Sequence, residues 1–522
     1  MKSKFKVLIT LILIGSGLIY SQRSFTENAE ADQMTPSEIY ARCYAKLLRK
    51  PAPSNNSILV SLRSGSITDA ENACVNLLNK VSLNPKTGLI ENPNDPEARS
   101  ILTTLQLLHN SWFFSNSLAI MNAVAEVKLI SDIDEPSLYW TRALLLNGAR
   151  ADSVLTYDKS LKAIRIRPDE SNTTNFQARP FFNYLIDGGT KNGTIGVNAR
   201  DPLFRIQFIK DIKLDRLDGD NYSFIDVPDD QLTHFGDMVG VKDQQPLTIE
   251  RIIPPLNNLK MDDPSKPPNS NIDLHAHFGG GVLGSTIYQM KNTGLLVNQL
   301  PNSYTSIDRR FASRVFQDLL CYQLPVLDSE DVEIIKDPSG TSFAFHQNKS
   351  CMQCHATIDE FAMIQKNMTW VESSPAAIIF KKPSIGAEVV TRFKLPVDKS
   401  SKVFALQDPV GELNFKTFNK TKVHIQNIRN LASVGSEFAK LDDFYTCAAK
   451  RYYKYFTGID VPLAKDAETS LNAVEIAHLV AVRKLGLQLK EDPNQKLKNV
   501  IISIFKSPVF QSRGYKTQGV GK

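Results

Sequence analysis

Cysteine and histidine are scarce in this sequence, six and eight among 522 residues, and tryptophan occurs three times. So few soft and imidazole ligands exclude a chain built around repeated metal cages, and any place where the two types fall together stands out. No charge sign dominates: 61 Lys and Arg face 55 Asp and Glu, for a formal +6, and without Lys2, Lys4 and Lys6 this falls to +3. The basic residues are dispersed and not interleaved with aromatics, which argues against a nucleic-acid partner. Long apolar runs are missing too. The longest, Val7 to Tyr20, falls short of the roughly 20 residues of a spanning helix. No Gly-x-Ser-x-Gly elbow occurs, which removes that class of hydrolase, and there is no internal repeat or low-complexity tract. What is present, 42% hydrophobic and 22% charged residues, is ordinary for a soluble globular protein.

The opening "MKSKFKVLITLILIGSGLIYSQRS" has a lysine-bearing start, a short apolar run and a polar end. This is the pattern of a secretory signal, over residues 1–21 with cleavage near Ser21. No cysteine follows the run closely, which argues against a lipid anchor. The expected location is a bacterial periplasm or the outside of the cell, with no integral membrane association unless this segment is retained. There, cysteines oxidise. Cys43, Cys74, Cys321 and Cys447 allow three pairings, and the sequence alone does not choose. We favour Cys43 with Cys74, close in sequence, and Cys321 with Cys447; free buried thiols are the other reading.

The length suggests two or three domains of roughly 150 residues each. From 34 to 167 the chain reads as helical. Ile101, Leu105, Leu108 and Trp112 recur at three- and four-residue steps, one apolar helix face, and Trp112, Phe113 and Met121 read as core. A second helix starts with Asp134 as cap and Pro136 in its first turn and stops at Asn147-Gly148. From 168 to 273 the texture changes: "DGGTKNGTIG" carries turn signals and "RIQFIKDIKL" partly alternates, so short strands and loops are expected. The proline-rich stretch 251–273 reads as a linker. Residues 274–375 read as a separate segment that contains Cys351, Cys354 and His355, and 376–515 as a C-terminal helical domain, with helical spacing through Leu497, Ile501 and Ile504 until Pro508. The expected class is mainly α with an irregular or β insert.

In "NKSCMQCHATIDE", 348 to 360, two cysteines stand three apart and a histidine follows the second. This spacing lets two thiols reach the two vinyl groups of a haem while the histidine turns under the iron. Cys351 and Cys354 are therefore the expected thioether positions of one haem c, and His355 the iron ligand. A zinc site would need two more ligands at suitable spacing, and no second cysteine pair exists; a bare disulfide across Cys351 and Cys354 is the other alternative. For the opposite face of the iron, Met363 is a poor candidate, since eight residues of helix carry it about 12 Å along the proximal side. Met368, His424, His346, His275, His277 and Met290 all stay open. The His-x-His of "IDLHAHFGGG" looks like the strand-borne pair of metal-dependent hydrolases, but the later histidines are only His346, His355, His424 and His478, and no βα alternation follows.

The second half resembles the cytochrome-c-like secreted proteins of the planctomycete type, a group of uncharacterised domains around a haem motif. The likeness lies in "GGGVLGSTIY" (279–288), "DRRFASRVFQDLLCYQLP" (308–325), "HQNKSCMQCHATID" (346–359), and "DFYTCAAKRYYKYFTGI" (443–459) with "IISIFKSPVF" (501–510). It covers roughly 275–513. It implies haem at Cys351, Cys354 and His355, and makes Cys321 with Cys447 a structural pair. The sequence departs from the family where proline and glycine commonly follow the aspartate: here "IDEFAM" has Glu360. The resemblance supplies an architecture and a cofactor, not a reaction.

Three functions fit these residues. The first is a periplasmic or secreted electron-transfer protein with a partner redox protein. The second is a haem enzyme of peroxidase or oxidase type with an open distal face, in which His346 or Arg310 would serve as distal acid or charge stabiliser. The third is an envelope binding or structural protein in which haem stabilises the fold.

Overall fold

The computed structural model describes residues 33–113, 132, 134–166, 194–198, 206–208, 212–214, 224–228, 237–243, 259–261, 280–285, 288, 292, 304–332, 347–365, 368–370, 410–463 and 471–513. The chain is mainly α. Helix α1 (Pro36–Leu48) begins with proline and a Thr35–Glu38 capping box, which satisfies donors that the first turn cannot use internally. After α2 (Ser57–Ser61), α3 (Ile67–Asn79) opens on a Ser66–Asp69 box. Then come α4 (Pro96–Ser111), capped by Asp95, α5 (Glu135–Leu145) and α6 (Ser153–Thr156). Of the expected punctuation of α5, Pro136 stands in the first turn and Gly148 beyond the end at φ +86°, but Asp134 makes no side-chain cap bond and its carboxylate binds Arg165 at 2.8 Å instead. On α4, Ile101 and Leu105 are fully buried and Trp112 packs on the core, as does Phe113; Met121 lies outside the described residues.

The strands are short and paired in twos. β1 (Leu161–Arg165) and β2 (Thr194–Asn198) are followed by β3 (Ile206–Phe208), β4 (Ile212–Leu214), β5 (Phe224–Pro228), β6 (Met238–Asp243) and β7 (Leu259–Met261). β1 pairs with β6, β2 with β5 and β4 with β7, all antiparallel. Two expectations need correction. The stretch to 167 is not all helical, because β1 lies in it; its partner β6 is some 75 residues away, beyond the reach of local periodicity. The linker at 251–273 contains β7, whose pairing to β4 likewise depends on a distant segment.

Next come α7 (Gly281–Gly284), α8 (Tyr304–Leu320) and α9 (Lys349–Ala362), which runs into a 3-10 turn at Met363–Gln365. β8 (Met368–Trp370) pairs back to β3. The hairpin of β9 (Gly411–Lys416) and β10 (Lys422–Ile428) precedes α10 (Leu431–Phe438), α11 (Asp442–Thr457), α12 (Ala473–Glu491), α13 (Leu497–Phe505) and α14 (Pro508–Gln511). This hairpin corrects the all-helical reading of the C-terminal region. Leu413 and Phe415 are buried on alternate positions of β9, a period-2 signal in "GELNFK" that the helical texture downstream outweighed.

One cluster of buried apolar side chains joins all the regions. It includes Leu105 from the first, Val241 from the second, Phe316 from the third and Phe505 from the fourth. The boundaries drawn from sequence thus divide the chain but not its core. Polar ties cross the same divisions: Tyr455 Oη donates to the Lys46 carbonyl at 2.7 Å, Lys498 Nζ to that of Val81 at 3.1 Å, and Ala151 N to that of Gln495 at 3.0 Å. Two disulfides match the favoured pairing. Cys43–Cys74 links α1 to α3 (Cα–Cα 5.9 Å), and Cys321–Cys447 links the end of α8 to α11 (5.4 Å).

Gly281 has a structural use. Gly281 sits at φ +59°, and a Cβ there would lie 1.9 Å from the Val154 carbonyl oxygen, so only glycine lets α7 meet the backbone of α6. Inside the core, His109 is fully buried between α5 and α11. Thr141 Oγ1 spends its proton on the Ser137 carbonyl (3.1 Å). It therefore accepts from His109 Nδ1 at 2.8 Å, and Tyr452 Oη donates to Nε2 at 2.8 Å. The ring is thus held neutral, and burial pulls its pKa down to about 3.

Candidate functional site

The Cys-x-x-Cys-His motif lies in the first turns of α9. Asn348 starts the helix by accepting from Ser350 N at 2.9 Å, a cap that places Cys351 one turn in. From there Cys351, Cys354, His355 and Ile358 follow at i, i+3, i+4 and i+7, which is one strip of a helix. Two other sides of α9 are gripped. Met352 packs with Leu327 and Val332, and Ala356 joins them. Phe361 and Ile364 enter the main core, where Phe361 meets Phe316 at 5.8 Å between ring centroids.

The β9–β10 hairpin completes the cradle. Thr357 Oγ1 donates to the Asn414 carbonyl at 2.7 Å. At Gly411 a Cβ would come within 2.3 Å of the Glu360 carbonyl oxygen, so the strand can start against α9 only with glycine there. Lys416 Nζ binds Asp328 (2.8 Å) and Asp331 (2.6 Å), which fastens the loop carrying Leu327 and Val332 to β9.

Cys351 and Cys354 are both free thiols and half-buried, whereas the other four cysteines are in disulfides. Burial pushes the Cys354 thiol above its ordinary value, and the neighbouring Cys351 adds to this. A raised thiol is a poor nucleophile for cysteine-protease chemistry.

His355 is 25% exposed at the side chain, and its Nδ1 faces both oxygens of Asp359, at 3.2 and 3.1 Å. An ionised carboxylate only accepts, so Nδ1 carries the proton and the lone pair resides on Nε2. This tautomer is the one a metal-binding histidine needs, with the far nitrogen held by a carboxylate. Asp359 is itself held by Arg309 from α8, Nε to Oδ1 at 2.5 Å and Nη2 to Oδ2 at 2.9 Å. The free thiol pair at helical spacing and the Nε2 tautomer of His355 fit a covalently attached haem: Cys351 and Cys354 for the thioethers, His355 for the iron. Among the described residues, no group of three or more His, Cys, Asp and Glu could hold a bare metal ion.

The other named residues are placed as follows. His424 is on β10, 43% exposed, with Nε2 on Glu412 Oε2 at 2.7 Å. Met363 follows directly on α9, the unfavourable proximal position expected for it. Met368 is on β8. His275, His277, His346 and Met290 lie outside the described residues. Arg310 is half-buried on α8, about 100° around the helix from Arg309; Arg309, not Arg310, is tied to the motif. Sequence reading missed Asp359 and Arg309. The His-x-x-x-Asp spacing was a usable signal for the first, but nothing local marks an arginine 50 residues upstream.

Comparison with protein-family models, with curated proteins and with solved structures found no match.

Proposed function

We propose that this chain is a periplasmic or secreted mono-haem c-type cytochrome-like protein that passes electrons to or from a partner redox protein. The observation that carries the reading is the pair of free thiols on one helical strip with a carboxylate-held histidine, in a chain whose other cysteines are cross-linked. Two disulfides also suit an oxidising compartment, the kind in which such attachment takes place. When bound, the haem supplies a one-electron couple at iron. The protein's part is to anchor the ring edge through Cys351 and Cys354, to offer Nε2 of His355, and to keep α9 rigid between the core and the hairpin.

A second reading, a peroxidase- or oxidase-like haem enzyme, is favoured by one observation: a carboxylate behind the histidine makes that ligand more electron-rich. One experiment separates the two. The protein is matured in a periplasm with a haem-attachment pathway, and its visible spectrum is taken after dithionite and again under carbon monoxide. Denaturation-resistant haem with low-spin bands unmoved by carbon monoxide is the expected result. A large shift on carbon monoxide would select the enzyme, and absence of covalent haem would overturn both.

A further inference from the structure

We infer that Asp359 and Arg309 are positioning residues that act in opposite senses on the electron richness of His355, and so tune the iron's reduction potential. The inference rests on the haem reading above. Its observation is a three-member line across two helices: His355 Nδ1 on both oxygens of Asp359 (3.1 and 3.2 Å), and both oxygens held by the Arg309 fork (2.5 and 2.9 Å).

The chemistry assigns a sign to each member. A carboxylate accepting from Nδ1–H draws the proton away from the ring and enriches Nε2, which favours the ferric state. The Arg309 guanidinium draws charge off the same carboxylate through two parallel bonds; this weakens its pull on the ring and favours the ferrous state. A group that merely fastens α8 to α9 would give no such antisymmetry, because loosening the contact from either end relaxes the same helix pair. The three side chains are 22 to 32% exposed, so solvent screening keeps each effect moderate.

The test is potentiometry on the haem-bearing full chain with Asp359→Asn and Arg309→Gln. Asp359→Asn keeps an oxygen acceptor for Nδ1 but removes the charge, and should shift the ferric/ferrous equilibrium toward ferrous by about tenfold, which is 59 mV upward for one electron. Arg309→Gln leaves the full carboxylate charge on the ring and should move the potential downward. Potentials that stay put, or that move in the same direction in both variants, overturn the inference while the haem reading stands. Should Asp359→Asn fail to accumulate, Arg309→Gln decides alone, and an unchanged or raised potential overturns the proposal. A wild-type chain without covalent haem overturns the haem reading and this inference with it.

Discussion

Two histidines in this protein have opposite surroundings. His109 is fully buried, neutral, and satisfied at both nitrogens by a threonine and a tyrosine. His355 stands on a half-exposed helical strip beside two free thiols, with a carboxylate and an arginine behind it. The first environment suppresses charge and joins three helices. The second ties the ring to a carboxylate that an arginine of another helix holds in turn. Residue type thus says little about role here; the partner on Nδ1, hydroxyl or carboxylate, says most.

The comparison can be broken by mutation, and the largest effect should come from the scaffold. Cys321→Ser with Cys447→Ser opens a loop with a sequence separation of 126; its loss should cost about 2–5 kcal/mol in chemical unfolding. A cost under 1 kcal/mol would show that the core alone fastens α8 to α11.

His109→Ala should come next. It leaves the buried Tyr452 hydroxyl and Thr141 short of a partner and opens a cavity, for about 2–4 kcal/mol, while any haem spectrum stays unchanged. His355→Ala should show the reverse pattern, an altered or lost haem signal with a stability change of about 1 kcal/mol or less, because its site is partly solvated. Equal stability losses in the two variants would remove the distinction between strut and ligand.

A pH experiment sharpens it further. His109 is pulled from 6.5 to about 3 by burial, so between those values the unfolded chain takes up a proton that the folded one refuses, and stability falls as pH falls. Glu135, buried on the same α5 and bonded by Ser285 Oγ at 2.7 Å, is pushed by burial from 4.5 up to about 7. Its folded form keeps a proton that the unfolded chain releases, so stability falls as pH rises through that range. Between about pH 4.5 and 6.5 the two slopes oppose each other. Relative to wild type, His109→Gln should make stability fall with rising pH in that window, and Glu135→Gln should make it rise. Parallel profiles would overturn the assignment of these two groups.

The smallest effect belongs to the surface. Glu38, held down at about 2 by Arg513 and by the Thr35 cap, is exposed, and Glu38→Gln should cost about 0–1 kcal/mol, read as a small shift in the unfolding midpoint that shrinks with salt.

Much of this protein was legible without coordinates wherever the determining interactions are local. The proline start and glycine stop of α5, the apolar face of α4 and the Cys-x-x-Cys-His spacing are all set within one or two helical turns, and one or two turns are what periodicity and capping report. The Asp359 partner of His355 was missed although i,i+4 on a helix is a local contact that the same spacing could have shown. Tertiary structure alone decided the rest: that β1 pairs with β6, that one core runs through all four regions, that the β9–β10 hairpin backs α9, and that Arg309 stands behind Asp359. Each of these depends on segments tens to hundreds of residues apart, and chain order does not reveal which distant surfaces meet until burial of the whole core brings them together.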